Sequence, residues 1–304
     1  MIVRVLGSAA GGGVPQWNCG CANCEAARAG RTPRRTQSTL AVSPEASAGR
    51  YWFLFNCSSD VAGQIESFVP LRPGEGRFTP INQILLTDAN LDHIGGLAVL
   101  RSAFGAGISV RSTAVVREIG LAQRSFAHFA AAPNRWIEMP LGTTIPVRAD
   151  DRVDDWLEVR AIAVPGSTPG YDGRRAVRGA VVAYEIADRG SKNRLLFAPV
   201  FGAINDTLAG AIASASVAFL DGTFFTDDEM DPKGMLPQRR ARAMGHQPVG
   251  GGGGTLAQLH GAQNRIVFTH LNNSNPMLDP QSEAHAAVRA SGAEIAYDGM
   301  ELTL

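Results

Sequence analysis

The chain has 304 residues, 45% of them hydrophobic, enough for a substantial core in one large domain or two small ones. Lys and Arg number 28 and so do Asp and Glu, a balance that gives no electrostatic reason for binding nucleic acid or an acidic partner. No apolar run approaches the roughly 20 residues of a membrane helix, no signal-peptide pattern opens the chain, and the four cysteines do not form a secreted disulfide framework, so a cytoplasmic enzyme is expected.

Residues 2–6 predict a first strand, and a loop over 7–13 follows with four glycines and two alanines. No Lys-Ser or Lys-Thr closes that loop, so it is not a phosphate-binding loop; close backbone packing under an active site is expected instead. Cys19-Gly-Cys21-Ala-Asn-Cys24 then bunches three thiols within six residues. In a reduced compartment this favours a soft metal, and zinc above others, over disulfides. With all four places filled by protein, such a site is structural, and the spacing does not name the fourth ligand. Residues 38–43 and 51–56 look like paired strands, with a helix over 60–68 and Cys57 as a small buried residue.

The apolar run 81–86 predicts a buried strand, and Asp92-His93 stand where it turns into a helix over 92–101. Gly95-Gly96 allow tight packing at the bend. Taken alone, Asp92 reads as a helix cap. A strand at 108–111 and a helix at 112–122, capped by Ser112, repeat the order, and His128 reads as a packing or surface histidine. Residues 131–155 are the least patterned. Their acidic cluster, Asp150, Asp151, Asp154 and Asp155, lacks the oxygen spacing of a calcium loop and reads as a solvated turn.

Strands are expected at 156–164, 180–186 and 194–199, and a helix at 205–214. The run 217–220 ends in Asp221-Gly222-Thr223, either an Asx turn or a functional carboxylate at a strand end. The charged, Met-rich stretch at about 226–250 reads as a mobile lid or an exposed flap and carries His246. Gly251 to Gly254 lead into a helix over 255–261 whose first amides can hold an anion, with His260 at its far end. The strand 266–269 runs into His270 and an amide-rich loop. His285 sits on a helix over 280–290 and is expected to face solvent, and short strands at 295–297 and 300–304 close the chain.

Three strand ends thus carry Asp92 with His93, Asp221, and His270. Imidazoles and carboxylates on one face define a mononuclear metal site that suits zinc or non-haem iron(II), with open positions for a reacting ligand.

Leu86-Thr-Asp88-Ala-Asn90-Leu-Asp92-His93-Ile-Gly95-Gly96 resembles the metallo-β-lactamase superfamily signature T-H-x-H-x-D-H-x-x-G, and Asp221 and His270 fall where that superfamily has its bridging Asp and last His. The resemblance implies an α/β fold, a four-layer αββα sandwich over residues 1–304 as a single domain. The cysteine element, at about 11–26, resembles one branch that includes phosphonate-pathway cyclic phosphodiesterases. Within that branch the likeness is to the pyrroloquinoline-quinone (PQQ) biosynthesis protein B family. It rests on Gly-Gly-Gly-Val-Pro-Gln-Trp-Asn-Cys-Gly-Cys-x-x-Cys, Leu-Asp-Gly-Thr-Phe-Phe, Met-Gly-His and Thr-His-Leu-Asn-Asn-Ser-Asn-Pro, across residues 11–276.

The chain departs from the signature where its first two histidines become Asp88 and Asn90, and where the mid-chain third becomes a stretch, 164–168, without imidazole. One of two metal positions is therefore lost, and a single ion with open coordination suits iron(II) and dioxygen. The resemblance implies Fe(II) on Asp92, His93 and His270, with Asp221 as a further ligand or a base. It implies His246 in substrate binding or proton transfer, and Asp88 and Asn90 as substrate-facing groups. It also implies structural Zn(II) on Cys19, Cys21 and Cys24, with Asn273 at the position where the phosphodiesterases carry a histidine ligand. The implied reaction is hydroxylation by O2 of the tyrosine ring of a Glu–Tyr-derived intermediate, with other PQQ-pathway proteins as partners. A zinc hydrolase of the same fold and a non-catalytic PQQ carrier are the alternatives.

Overall fold

The computed structural model describes residues 1–76, 78–100, 108–130, 135–148, 156–174, 176–189 and 191–304. The acidic cluster at 150–155 lies outside them. A first sheet is built from β1 (Ile2–Gly7), β2 (Thr39–Ser43), β3 (Trp52–Phe55), β4 (Ile81–Leu85), β5 (Ser109–Ser112) and β6 (Arg135–Glu138). A second takes β7 (Thr144–Arg148), β8 (Trp156–Ala163), β9 (Val182–Asp188), β10 (Arg194–Ala198), β11 (Val217–Asp221), β12 (Arg265–Thr269) and β13 (Glu294–Ile295). The last strand, β14 (Glu301–Thr303), returns to the first sheet beside β1. Both sheets are mixed. The first runs β14-β1-β2-β3 antiparallel and β3-β4-β5-β6 parallel. The second runs β13-β12-β11-β10 parallel and β10-β9-β8-β7 antiparallel.

The period of two along each strand assigns side chains to layers. In β3, Phe53 and Phe55 enter the core between the sheets, and Trp52 and Leu54 face the other way. In β10, Leu195 and Phe197 enter the same core, while Leu196 and Ala198 face outward. The outward face of the first sheet is covered by α2 (Val61–Ser67), α3 (Leu91–Ile94), α4 (Gly96–Val99) and α5 (Ala114–Ala122), through Val61, Ile94, Leu97 and Val116. The second is covered by α6 (Asp206–Ser214) and α8 (Glu283–Ala290), through Leu208, Ile212 and Val288. Two short helices complete the set, α1 (Ala22–Arg28) after the cysteine loop and α7 (Thr255–Gln258). This is the αββα sandwich. Each fully buried Leu, Val or Phe contributes roughly 1.5–3 kcal/mol, and parallel strands covered on both faces read as continuous apolar runs. No helix among the described residues is long and apolar enough to cross a membrane.

Several expectations are corrected. The helix expected over 92–101 is two four-residue pieces with Gly95 between them, and Arg101 lies outside the described residues. The cap of α5 is Thr113, whose hydroxyl accepts Val116 N–H, while Ser112 Oγ receives Trp136 Nε1–H. The stretch 131–155, expected to be the least patterned, holds β6 and the whole of β7. The helix α7 stops at Gln258, so His260 lies beyond it.

Candidate functional site

The strands β4, β11 and β12 are parallel or lead parallel neighbours, and their C-terminal ends carry the candidate residues. After β4 the chain turns at Thr87. Asn56, in the left-handed region at φ 66°, accepts from Thr87 N at 2.9 Å and holds the turn. Tyr184 O–H reaches over from β9 to Leu86 O at 2.8 Å. Gly96 is needed for the approach of α4: a Cβ there would sit 2.2 Å from Ser58 O and 2.7 Å from Cys57 Sγ.

Asp92 is not a cap. The N-cap of α3 is Asn90, without a side-chain cap bond, and Asp92 lies inside the helix. It points across the loop before α1, where a Cβ on Gly11 would lie 3.3 Å from Asp92 Oδ2. Asp92 Oδ2 is 3.3 Å from His270 Nε2 and 3.8 Å from His93 Nε2. All three offer ligand atoms within 4.8 Å of one another.

The tautomers follow from the far side of each ring. His93 Nδ1 is 2.7 Å from Asp88 Oδ2, with both side chains fully buried, so Nδ1 carries the proton. Thr223 Oγ1 donates to Asp221 Oδ1 at 2.6 Å, and its single proton is then engaged; it accepts from His270 Nδ1 at 2.8 Å. Both Nε2 atoms therefore turn inward, buried, without a hydrogen-bond partner among the described residues. Two such orphans facing a carboxylate fit a cation. His270 adopts φ 59°, a left-handed backbone that aims its ring into the site. Burial disfavours charge at His93, yet Asp88 and Asp92 outweigh it and lift its pKa to about 9. Burial likewise disfavours charge at Asp92, and His93 and His270 overcome it and hold that carboxyl well below the usual range.

Asp221, His246 and His270 form a second cluster within 4.8 Å, sharing His270 with the first. Asp221 is fully buried. Its Oδ2 accepts from His246 Nδ1 at 2.8 Å and Phe201 N at 3.1 Å, and its Oδ1 accepts from Thr223 N at 2.9 Å and from Thr223 Oγ1. The Asx turn and the functional carboxylate are thus one arrangement. His246 stacks on His270 with ring centroids 5.6 Å apart. Burial lowers the pKa of His246, but the Asp221 carboxylate more than reverses this and raises it.

These groups open on a cavity of about 320 Å³ lined by Asn90, Asp92, Thr168, His246, His270 and Asn272, among others. Its volume is at the lower end for a small-molecule site. Met244 to His246, from the stretch at about 226–250, form part of its wall.

Cys19, Cys21 and Cys24 bring three sulfurs within 4.8 Å of one another. Asn273 Nδ2 sits over them at 3.1, 3.6 and 3.5 Å, the fourth corner of a tetrahedron. Gln16 N–H donates to Cys24 Sγ at 3.3 Å. Burial and the neighbouring sulfurs push the Cys24 thiol up to about 11, the cost of crowding thiolates without a cation. The three sulfurs fit zinc, and Asn273, whose NH2 donates to them here, can complete the set only with its carbonyl Oδ1 turned inward.

A model of the β-lactamase superfamily domain matches residues 51–271. The chain is 36% identical to coenzyme PQQ synthesis protein B of Pseudomonas putida (strain W619) and 38% identical to that of Azoarcus sp. (strain BH72), in each case over 100% of both chains. It is also 35% identical to the crystal structure of Zn(2+)-bound PqqB from Methylobacterium extorquens, with a TM-score of 0.90 and full coverage of both chains. The chain belongs to the PqqB family. A diphosphatase from the PhnP family, 17% identical with a TM-score of 0.66 over 100% of this chain and 97% of its own, shares the fold.

In this PqqB-family chain three expectations are corrected by geometry. Asp88 was expected to face substrate. It is fully buried, with Oδ2 bonded to His93 and Thr87 and Oδ1 to Asn90 N and Nδ2, so it orients His93 instead. Asn90 does line the cavity. The amides at the start of α7 are not free for an anion, since Gly254, Thr255 and Leu256 N–H donate to Gly251, Pro248 and Val249 carbonyls. His285 is half-buried, its Nδ1 bonded to Met277 O at 2.9 Å, so it does not simply face solvent. Thr223, which couples Asp221 to His270, escaped sequence reasoning; the Asp-Gly-Thr turn was its only signal.

Proposed function

We propose that the chain acts in PQQ biosynthesis as a mononuclear iron-dependent hydroxylase that uses O2 on the tyrosine ring of a Glu–Tyr-derived intermediate. One observation carries this reading. Two imidazole Nε2 atoms and one carboxylate converge beside the cavity, a facial triad, while Asp88, in place of a signature histidine, is turned back onto His93. Asp92, His93 and His270 would hold the ion. Iron(II), when bound, supplies activation of O2 for ring hydroxylation, which also consumes two electrons and two protons and yields water. Asp221, whose oxygens already receive four donors, acts on His246 rather than as a ligand. With Nδ1–H held by Asp221, His246 has Nε2 left to take the phenol proton. Thr223 keeps His270 in its ligand tautomer, and Asp88 does the same for His93. The stretch 226–250 acts as a lid that excludes water from the cavity, within a single cytoplasmic domain, and Cys19, Cys21 and Cys24 hold a structural zinc, with Asn273 as the fourth ligand through its carbonyl oxygen once the amide is turned.

The test is a Glu–Tyr dipeptide incubated with Fe(II)-loaded protein, ascorbate and ¹⁸O2. Oxygen-18 in the ring supports the reading. A zinc-hydrolase reading has one observation in its favour, the zinc in the Methylobacterium extorquens relative. Turnover with zinc alone, under anaerobic conditions, decides for it and against the hydroxylase.

A further inference from the structure

Behind the cavity wall lies a carboxyl group that the chemistry above does not use. Glu229 Oε2 accepts Phe225 N–H at 2.9 Å, and Glu229 Oε1 receives the Ser274 hydroxyl at 2.5 Å. Ser274 Oγ is in turn 2.5 Å from Asn272 Nδ2. Asn272 lines the cavity beside His270, His246 and Thr223. The chain of donors has one consistent direction when Glu229 is ionised. A carboxylate only accepts, so the single Ser274 proton points at it. Met230 Sδ, 3.5 Å from Ser274 Oγ, is a weak competitor. Ser274 then accepts, and the Asn272 amide must offer it N–H. Asn272 Nδ2 also faces Met230 Sδ at 3.5 Å, so the NH2 group is directed away from the cavity. The carbonyl Oδ1 is left toward the ligand. A glutamine or asparagine amide without such a brace turns either way and discriminates nothing.

We propose that Asn272 is a specificity-determining residue that presents its side-chain carbonyl to a hydroxyl donor on the ligand, and that Ser274 and Glu229 are positioning residues that fix its amide. The donor is the phenol of the tyrosyl group, which rests on the substrate reading above. A site built to bond a hydroxyl disfavours the analogue that lacks it, because its own acceptor is left unpaired.

The test compares binding of Glu–Tyr and Glu–Phe dipeptides by isothermal titration to zinc-loaded protein, in which no oxidation occurs. It is run at pH 8, above the value of about 7 to which burial lifts Glu229. Wild type, Asn272→Ala, Ser274→Ala and Ser274→Thr are matched for zinc content and circular dichroism. Wild type is expected to prefer Glu–Tyr by roughly 10–100-fold. Asn272→Ala abolishes the preference. Ser274→Ala, with the amide free to turn, loses most of it, and Ser274→Thr keeps it. If Asn272→Ala does not fold, the two Ser274 variants decide. An unchanged preference in Asn272→Ala or Ser274→Ala overturns the assignment, as does equal binding of both dipeptides by wild type. Wild type that binds neither dipeptide defeats the substrate reading itself, and this assignment with it.

Discussion

Asp88→Asn is the sharpest probe of the site, because it separates orienting His93 from touching substrate. The Asp88–His93 pair is 2.7 Å long and excluded from water, so its loss is not screened by solvent. Asparagine keeps the shape but not the charge. One of its two heteroatoms must also be an NH2, facing either His93 Nδ1–H or the Asn90 donors that now reach Asp88 Oδ1 at 2.8 Å. Either way a donor meets a donor. Loss of such a ligand-orienting partner costs 10–100-fold in metal affinity, about 1.4–2.7 kcal/mol. The measurement is competition with a chromogenic chelator for the non-thiolate site, with the cysteine site left filled. Asp92→Ala, a direct ligand loss, is the reference and is expected to fall further. Affinity within threefold of wild type for Asp88→Asn, with weaker dipeptide binding, refutes the orienting role and returns Asp88 to the substrate.

His246→Ala is expected to lower turnover 10²–10⁴-fold with little change in dipeptide affinity, in steady-state assays of the iron-loaded protein. Since Asp221 raises the pKa of His246 and the neutral ring is the base, wild-type activity falls as pH drops through that raised value; Asp221→Asn moves the midpoint to lower pH. Cys24→Ser should remove roughly one equivalent of zinc, measured by mass spectrometry of metals, and lower Tm by several degrees. Burial lets Glu229 hold its proton up to about 7 in the folded chain, against an ordinary carboxyl value of 4.5. The native state therefore binds more protons between these values, and stability falls as pH rises through that window, by on the order of 3 kcal/mol. Glu229→Gln is expected to flatten the urea-denaturation profile there; an equally steep profile counts against the buried carboxyl.

Much of the fold was legible because the central strands are buried on both faces and read as apolar runs. The two strands that went unread, β6 and β7, are both sheet edges. β6 has one buried residue, Trp136, between exposed Arg135 and Glu138, and β7 contains Pro146, which an edge tolerates and a central strand does not. The strand-end residues were legible as a set, since each follows such a run. Their partners were not. Asp88 sits five residues from His93, and which way a buried carboxylate turns depends on Asn56 and Thr87, held by a left-handed residue no pattern reveals. Asp221 and His246 lie 25 residues apart, joined only by the fold. Asn272 and Glu229 carry no spacing signal at all.

One short segment ties these features together. His270 faces Asp92, Leu271 pairs with the loop before α1 through Ser8 O and Ala10 N at 2.9 Å, and Asn272 lines the cavity. Asn273 caps the three sulfurs, while its carbonyl is held by Asn23 Nδ2 at 2.9 Å. Asn275 Nδ2 bonds Gly222 O at 2.7 Å and Thr223 O at 3.1 Å, the turn that follows Asp221. The left-handed backbone of His270 costs about 1–3 kcal/mol and persists only if its surroundings over-determine it. Each of these hydrogen bonds contributes about 0.5–1.5 kcal/mol net, so together they exceed that cost. A thiolate-bound cation would add a rigid anchor three residues away. With that cation bound, the cysteine cluster would brace the strained turn that aims one imidazole of the candidate metal site.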